Sequence, residues 1–259
     1  MTPPLTYLQV HLLFIVPPIL VLGWLAYTRE RTWWGPRPLS GLAIMIVLAV
    51  VYTTPWTNHL IPADVWWYGE GAVIARIWYT PIEEYLFFIL QPILTAFWLF
   101  QIPRIDDLSL RIPRHHRLVG GLAGLAIGAV GWYLTRGTST YYLGWLLAWA
   151  GPILAIQWSF GLTYLWQLRR HWLVAVGVPT LYLWAVDWFA ISLGVWVISD
   201  TKTVGIGLFG LPLEEALFFL VTNIFLVQGI VLYLWLLDRA HEVPSLAAVI
   251  DRSPDPDGR

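Results

Sequence analysis

The feature that most limits how this chain can fold is a series of seven long apolar segments. A helix needs about 20 mostly apolar residues to cross the hydrocarbon core of a bilayer. Seven segments come close to that length, so the sequence predicts an all-α integral membrane protein with seven transmembrane helices. The predicted spans are residues 7–27, 39–57, 78–100, 118–135, 141–166, 172–195 and 211–237.

Composition supports this class and narrows the chemistry. Charged residues make up only 12% of the chain, which is too few for a soluble protein, since soluble domains carry about 25%. The net charge of −1 gives no reason to expect nucleic acid as a partner. The absence of cysteine excludes disulfides, thiol catalysis and cysteine-bound metals. The first apolar segment has no basic residues before it, so we expect a retained helix and not a cleaved signal peptide.

The distribution of basic residues predicts the orientation in the membrane. With seven spans, alternate loops share a side, and one side receives all 15 Lys and Arg residues except Arg76, Arg136 and Lys202. Loops rich in Lys and Arg stay in the cytoplasm. We therefore expect a multi-pass protein of the cell membrane, with its N-terminus outside and its C-terminus in the cytoplasm.

A sequence repeat divides the chain into two halves. The segment TPIEEYLFFIL at 80–90 returns as LPLEEALFFLV at 211–221, and the first and fifth spans also share a Tyr-Leu start and a central proline. The fourth span reverses the chain direction, so the sequence predicts two parallel three-helix repeats with a site at their interface. The expected divisions are a first repeat at 1–103, a loop and connecting span at 104–140, a second repeat at 141–237 and a polar cytoplasmic tail at 238–259.

The paired glutamates are the main candidates for chemistry. Acidic side chains within a span are costly and usually mark a function. A single pair would be explained by the ordinary preference for glutamate in the first turn of a helix. Two pairs, each followed by the same two phenylalanines, favour a functional site. We expect the repeats to bring four carboxylates toward one cavity: Glu83, Glu84, Glu214 and Glu215.

The phenylalanines lie one helical turn after the glutamates, at i+4 positions on the same helix faces. Removal from water favours the neutral form of a carboxyl group, and such a group can act as an acid. An aromatic face stabilises a cation by about 2 kcal/mol where water is absent. This arrangement suggests protonation of an alkene and control of the resulting carbocation. The rings concerned are Phe87, Phe88, Phe218 and Phe219.

Asp187 is a further candidate because it falls inside the sixth span, where an aspartate is expensive. It is either functional or hydrogen-bonded in the interior. The corresponding part of the first repeat offers Thr57, Asn58 and His59 and no carboxylate. The two halves are therefore not expected to be chemically equal.

Other motifs point to no cofactor and no metal. The GxGxxG pattern from Gly205 to Gly210 lies in a loop between membrane helices and lacks the βαβ unit that dinucleotide binding requires. A retinal Schiff base needs a lysine in the seventh span, but the one lysine, Lys202, lies in a loop. His11 and His59 are expected to be hydrogen-bonded structural residues.

The segments YTPIEEYLFFILQP and LFGLPLEEALFFLVTN, within a seven-span, two-repeat frame, resemble the membrane-embedded lycopene β-cyclase family. That family occurs as one fused chain in haloarchaea, as two small subunits in some actinobacteria, and as the cyclase half of fungal bifunctional carotenoid enzymes. The resemblance covers roughly residues 6–235. One departure is Thr57, where the first half of the family commonly carries aspartate.

The resemblance implies an isomerase or intramolecular lyase that converts the ψ ends of lycopene into β-ionone rings, through γ-carotene to β-carotene. It implies no cofactor, no metal and no nucleic acid. Lycopene and γ-carotene would arrive from the lipid bilayer, and homo-oligomerisation stays open. Our hypothesis assigns catalysis to the two glutamate pairs and Asp187, and substrate binding to the four phenylalanines, Tyr85 and Asn58.

Three functions stay open at this level. In a cyclase, a neutral carboxyl protonates the terminal alkene, the C5=C6 bond attacks the cation, and a carboxylate removes the C6 proton. A carotenoid hydratase would quench the same cation with water. A carotenoid-binding or proton-coupled transport protein would also suit buried carboxylates in repeated helices.

Overall fold

The computed structural model describes residues 2–29, 33–103 and 112–240. The loop predicted to begin at 104 falls outside the described residues as far as 111, and the predicted tail does so from 241 onward. Within the described part, seven helices are long and apolar enough to cross a membrane, which confirms the predicted multi-pass fold. They are α1 (Tyr7–Thr28), α2 (Pro36–Leu60), α3 (Ile82–Leu99), α4 (Arg114–Leu134), α5 (Tyr141–Gln167), α6 (Arg169–Ser192) and α7 (Leu213–Ala240).

The first helix contains a π-helical turn over His11–Ile15, between α-helical parts at Tyr7–Val10 and Val16–Thr28. The Val16 N–H donates to the His11 carbonyl, five residues back. The turn lies directly before two prolines, whose missing N–H groups interrupt the usual pattern of helical hydrogen bonds. The wider turn is associated with a buried His11 side chain.

Short strands, which the sequence analysis did not predict, lie in the loops between helices. They are β1 (Trp66–Tyr68), β2 (Arg76–Ile77), β3 (Thr80–Pro81), β4 (Trp196–Ile198), β5 (Gly207–Leu208) and β6 (Leu211–Pro212). Strands β2 and β3 form a hairpin before α3, and β5 and β6 form an equivalent hairpin before α7. The third and seventh helices therefore begin later than predicted, because the residues before them are in extended strands that contain a proline.

The hairpins end in tight turns that place a large aromatic residue at each tip. Trp78 and Phe209 both have positive φ angles, 58° and 53°, which is uncommon for residues other than glycine. Their side chains are 75% and 97% exposed. Aromatic side chains at such positions are typical of the membrane interface.

Strands β1 and β4 pair with each other and join the two halves of the chain. The pairing is antiparallel, with Trp67 opposite Val197 at its centre. Equivalent backbone bonds flank it, from Gly69 N to the Val195 carbonyl (3.0 Å) and from Ser199 N to the Val65 carbonyl (2.9 Å). The loops of the two halves thus contact each other through matching positions, as a two-fold-related pair does.

The helices that carry the glutamate pairs are connected by a buried polar network. Gln91 Nε2 and Thr95 Oγ1 on α3 both donate to Asn223 Oδ1 on α7, at 2.6 and 2.7 Å. Asn223 Nδ2 donates to Thr180 Oγ1 on α6 at 2.9 Å. A satisfied network of this kind fixes the relative position of helices in an apolar interior.

The connecting helix α4 packs closely on α5 through glycines. A Cβ atom at Gly124 would lie 2.2 Å from Ala155 N, and one at Gly151 would lie 2.4 Å from the Gly128 Cα. Small residues allow this close approach between membrane helices. Helix α4 thereby packs directly on α5 and does not enter the interface between the two repeats.

Candidate active site

An apolar cavity lies where the first turns of α3 and α7 meet, beneath the β1–β4 pair. Its volume is about 70 Å³, several times what one water molecule requires. Three carboxyl side chains line it: Glu84 from α3, Glu215 from α7 and Asp187 from α6. All three are buried. The repeats therefore bring acidic groups to a shared interior site, as the sequence predicted.

Glu84 is held by a chain of hydrogen bonds from strand β1. The Tyr68 hydroxyl donates to Glu84 Oε2, and Trp66 Nε1 donates to the Tyr68 hydroxyl at 3.0 Å. Burial and then the adjacent Glu84 charge raise the pKa of Tyr68 well above its usual value. Tyr68 therefore keeps its proton and remains a donor to Glu84. The Arg76 guanidinium lies 5.3 Å from the centre of the Tyr68 ring.

Glu215 is held from a different element. The Tyr142 hydroxyl, in the first turn of α5, donates to Glu215 Oε1 at 2.7 Å. Tyr142 corresponds to Tyr7 in the first repeat, since their backbone N–H groups make matching bonds to the Ala72 and Lys202 carbonyls (2.8 and 3.0 Å). Each cavity glutamate thus accepts a bond from a tyrosine, but the two tyrosines come from non-equivalent positions.

Asp187 is both hydrogen-bonded and part of the cavity wall. Its Oδ1 atom accepts a bond of 2.9 Å from Trp196 Nε1 on β4. Its Oδ2 atom is buried without a hydrogen-bond partner. The residue that occupies the equivalent position in the first repeat, Thr57, instead contacts the Thr80 hydroxyl at 3.0 Å. The halves therefore differ in their acidic groups, as expected.

The first glutamate of each pair does not line the cavity, so the prediction that all four carboxylates reach it is wrong for Glu83 and Glu214. Glu83 Oε1 accepts from Ile74 N, and Glu214 Oε1 accepts from Val204 N, both at 2.8 Å. Adjacent helical residues point in directions about 100° apart, so only one of each pair can face the cavity. These two side chains connect the preceding loops to the helix starts.

Aromatic rings form most of the remaining wall, and all four predicted phenylalanines are among them: Phe87, Phe88, Phe218 and Phe219. The Phe218 and Trp56 rings are stacked, with centroids 5.7 Å apart and planes within 2°. The Phe87 and Phe219 rings meet edge to face at 6.0 Å. Such a wall presents several π faces to a cation in the cavity.

Tyr85 and Asn58, predicted to bind substrate, do not line the cavity. Asn58 Oδ1 accepts bonds from Tyr79 N and Thr80 N at 2.8 and 3.2 Å. Asn58 Nδ2 donates to the Tyr85 hydroxyl at 3.2 Å. The pair instead joins the end of α2 to the β2–β3 hairpin, because the turn leaves backbone N–H groups that need acceptors.

Several cavity residues were missed by the sequence analysis, chiefly Tyr7, Tyr68, Tyr142 and Trp196. The shared Tyr-Leu start of the first and fifth spans was a signal for Tyr7 and Tyr142. Nothing comparable indicated the strand residues. His11 is hydrogen-bonded to the Glu83 carbonyl through Nε2 at 2.9 Å, in line with a structural role, and it also lines the cavity.

Two matches to one family model cover most of the chain. The model described as lycopene cyclase matches residues 5–102 and again residues 139–236. The chain belongs to the lycopene cyclase family. The predicted resemblance is therefore confirmed, and each match covers three of the spanning helices.

Individual relatives agree with this family. The chain is 45% identical to a lycopene beta-cyclase of Halobacterium salinarum over 92% of this chain and 98% of the relative. It is 35% identical to a bifunctional lycopene cyclase/phytoene synthase of Pyrenophora tritici-repentis, over 86% of this chain and 40% of the relative. A bifunctional protein of the same description from Neurospora crassa is 32% identical, over 96% of this chain and 43% of the relative. No solved structure matches this member of the lycopene cyclase family.

Proposed function

We propose that this chain is a lycopene β-cyclase and that the cavity beneath the β1–β4 pair is its active site. The observation that supports this most strongly is the meeting of three buried carboxyl groups with a wall of aromatic rings. Acid groups start a cationic cyclisation, and aromatic faces stabilise the cations. The full-length similarity to a protein named lycopene beta-cyclase supports the same reaction.

We assign Glu215 as the acid and Glu84 as the base. Glu84 accepts from Tyr68, with the Arg76 guanidinium behind that ring, and both groups stabilise a carboxylate. Glu215 shares its part of the cavity with Asp187, and no lysine or arginine is among the described residues that line the cavity around it. Carboxyl groups that share an apolar site repel each other when ionised, so one retains its proton. Each tyrosine bond engages one oxygen of its glutamate and leaves the second oxygen for the substrate.

The reaction then balances without a co-reactant. Glu215 donates a proton to C2 of the terminal C1=C2 bond, which leaves a cation at C1. The C5=C6 electron pair attacks C1, forms the C1–C6 bond and moves the cation to C5. Glu84 removes the proton from C6, and those electrons form the C5=C6 bond of the β-ionone ring. One proton enters and one leaves, so the product is an isomer of lycopene.

Cyclisation also requires that water is kept away from the cation. The paired strands β1 and β4, which form the roof of the cavity, provide this. Trp66 and Trp196 lie on the paired strands β1 and β4, and both line the cavity. A cation that met water would give a hydroxylated product. The paired strands therefore favour cyclisation over hydration. Glu83, Glu214 and Asn58 support this roof by anchoring the loops.

The division into two repeats and the orientation in the membrane are part of the proposal. The two family matches support repeats at 1–103 and 141–237. The distribution of basic residues supports a cell-membrane protein with its N-terminus outside. On this topology the cavity lies near the outer ends of α3 and α7.

Expression in a lycopene-accumulating bacterium tests the proposal. We expect the cells to convert lycopene to β-carotene, with γ-carotene as an intermediate, measured by chromatography and absorbance. A hydroxylated carotenoid in place of a ring would indicate a hydratase. Lycopene that stays unchanged, with the protein present in the membrane, would contradict both enzymatic functions.

A further inference from the structure

A second apolar space continues from the acid cavity into the core between the helices. Its volume is about 430 Å³, compared with about 70 Å³ for the acid cavity. Phe87, Phe88 and Phe218 line both spaces, so these rings lie at the boundary between them. We call the larger space the groove. A 40-carbon polyene cannot fit within the acid cavity, so the rest of such a molecule needs a space of this kind.

The groove is long and follows one helix face. Its residues on α7 recur every three or four positions, from Phe218 through Thr222 and Gly229 to Leu236. This stripe covers about 27 Å along the helix at 1.5 Å per residue. Facing stripes come from α2 and α5. A rod-shaped molecule that lay along α7 would therefore have protein on several sides over most of its length.

The lining of the groove is mostly apolar, and two of its polar side chains donate hydrogen bonds to protein groups. Gln91 Nε2 donates to Asn223 Oδ1 at 2.6 Å, and Gln157 Nε2 donates to the Phe225 carbonyl at 2.8 Å. Gly229 leaves room beside Met45, because a Cβ atom there would lie 2.4 Å from the Met45 Sδ.

The groove opens sideways between α2 and α5. Leu48 on α2 and Ile156 on α5 line it and are 53% and 66% exposed. They lie at the apolar outer surface of spanning helices, where the surrounding medium is lipid. A substrate dissolved in the bilayer can therefore reach the groove without crossing water.

We propose that the groove holds the conjugated chain of a carotenoid while one end group occupies the acid cavity. The inference rests on the proposed function and extends it. Within the described residues, the three cavity carboxyls form a single site at one end of the groove. Lycopene therefore enters from the side, between α2 and α5, places one end group in the acid cavity and is cyclised at that end. The half-cyclised product must then leave and return in the opposite direction.

Retention of lycopene measures groove binding separately from chemistry. The experiment uses the Glu215→Gln variant as its background, because this variant is expected to bind lycopene without cyclising it. The protein is purified from a lycopene-accumulating bacterium, and the lycopene absorbance per protein chain is measured. To this background we add Ala49→Val, Ala49→Leu or Ala49→Phe, which fill the groove from α2 by increasing amounts. We expect retained lycopene to fall with side-chain size, by roughly fivefold or more for phenylalanine.

The matched control is Val47→Phe, which lies on the same helix but is 60% exposed and does not line the groove. We expect it to retain as much lycopene as the background. Thr222→Phe fills the groove from the opposite wall, on α7, and is expected to behave like Ala49→Phe. Thermal unfolding of every variant verifies that the fold is intact, and the smaller Ala49 substitutions keep the test valid if the largest one does not fold.

Turnover separates failure of this inference from failure of the proposed function. If the unmodified protein makes β-carotene while the Ala49 series and Thr222→Phe, in the Glu215→Gln background, retain as much lycopene as that background alone, the groove is not the binding site. Lipid found in the groove of these preparations, with lycopene retention unaffected by the substitutions, leads to the same conclusion. If the unmodified protein makes no cyclic product, the proposed function itself fails.

Discussion

At the scale of single residues, the two members of each glutamate pair have different tasks because a helix points them in different directions. Glu84 and Glu215 face the cavity, and Glu83 and Glu214 accept backbone N–H groups of the loops before their helices. The sequence shows the glutamate pairs clearly, but it does not reveal which glutamate of each pair faces the interior. Only the packing of the repeats decides that.

The tyrosine partners provide a test of the acid and base assignment. Tyr68→Phe removes a donor to Glu84, and Tyr142→Phe removes a donor to Glu215, with little change in volume. A hydrogen bond to a charged group contributes about 1.5–3 kcal/mol and one between neutral groups about 1 kcal/mol. We therefore expect Tyr68→Phe to slow cyclisation tenfold or more and Tyr142→Phe to slow it less than tenfold.

The measurement is the initial rate of β-carotene formation at equal amounts of membrane protein. Tyr133→Phe, at a residue that is 68% exposed on α4, is the control and should match the unmodified protein. A larger loss for Tyr142→Phe than for Tyr68→Phe would reverse the assignment of acid and base.

At the scale of elements, the helices could be predicted because apolar length alone identifies a membrane span. The strands could not, since β1 and β4 are three residues each and pair across a large sequence separation. The same limit explains why two of the cavity residues were not predicted. Asp187 and the phenylalanines lie on spans, whereas Tyr68 and Trp196 reach the cavity from the strands.

The contact between α4 and α5 gives a second prediction. Gly124→Leu places a side chain where the Cβ atom alone would lie 2.2 Å from Ala155 N. Overpacking of this kind costs about 1–3 kcal/mol, so we expect lower resistance to thermal unfolding and a lower protein yield. The acid cavity receives no residue from α4, so the rate per folded molecule should change little.

Gly177→Leu is the control for that substitution. A Cβ atom at Gly177 on α6 would meet nothing within 4 Å, and we expect its thermal unfolding to match that of the unmodified protein. Equal stability of the Gly124 and Gly177 variants would show that the close approach of α4 and α5 does not contribute to the fold.

At the scale of the whole molecule, the proposed active site lies where the two halves meet. Glu84 belongs to the first half and Glu215 to the second, and the β1–β4 pair above them takes one strand from each. The repeat accounts for the acidic residues at matching positions in the two halves. Asp187 in the second half and Tyr68 in the first half are differences between the halves. An asymmetric pocket suits a reaction that needs one acid and one base.

This arrangement predicts that both glutamates must belong to the same chain. Cells that produce Glu84→Gln and Glu215→Gln chains together should accumulate lycopene, as cells with either variant alone should. The control is co-production of either variant with the unmodified chain, which should yield β-carotene. Recovery of β-carotene from the two variants together would mean that halves of different chains combine into one site.

The most direct test of the central claim compares four glutamine substitutions in a lycopene-accumulating bacterium. Loss of a positioned acid or base typically costs a factor of about 10²–10⁴, so Glu84→Gln and Glu215→Gln should slow β-carotene formation at least 100-fold. Glu83→Gln and Glu214→Gln should stay near the unmodified rate, because the amide oxygen can still accept from Ile74 N or Val204 N. Normal cyclisation by Glu84→Gln or Glu215→Gln, with inactive Glu83→Gln or Glu214→Gln proteins that are fully folded, would contradict the account.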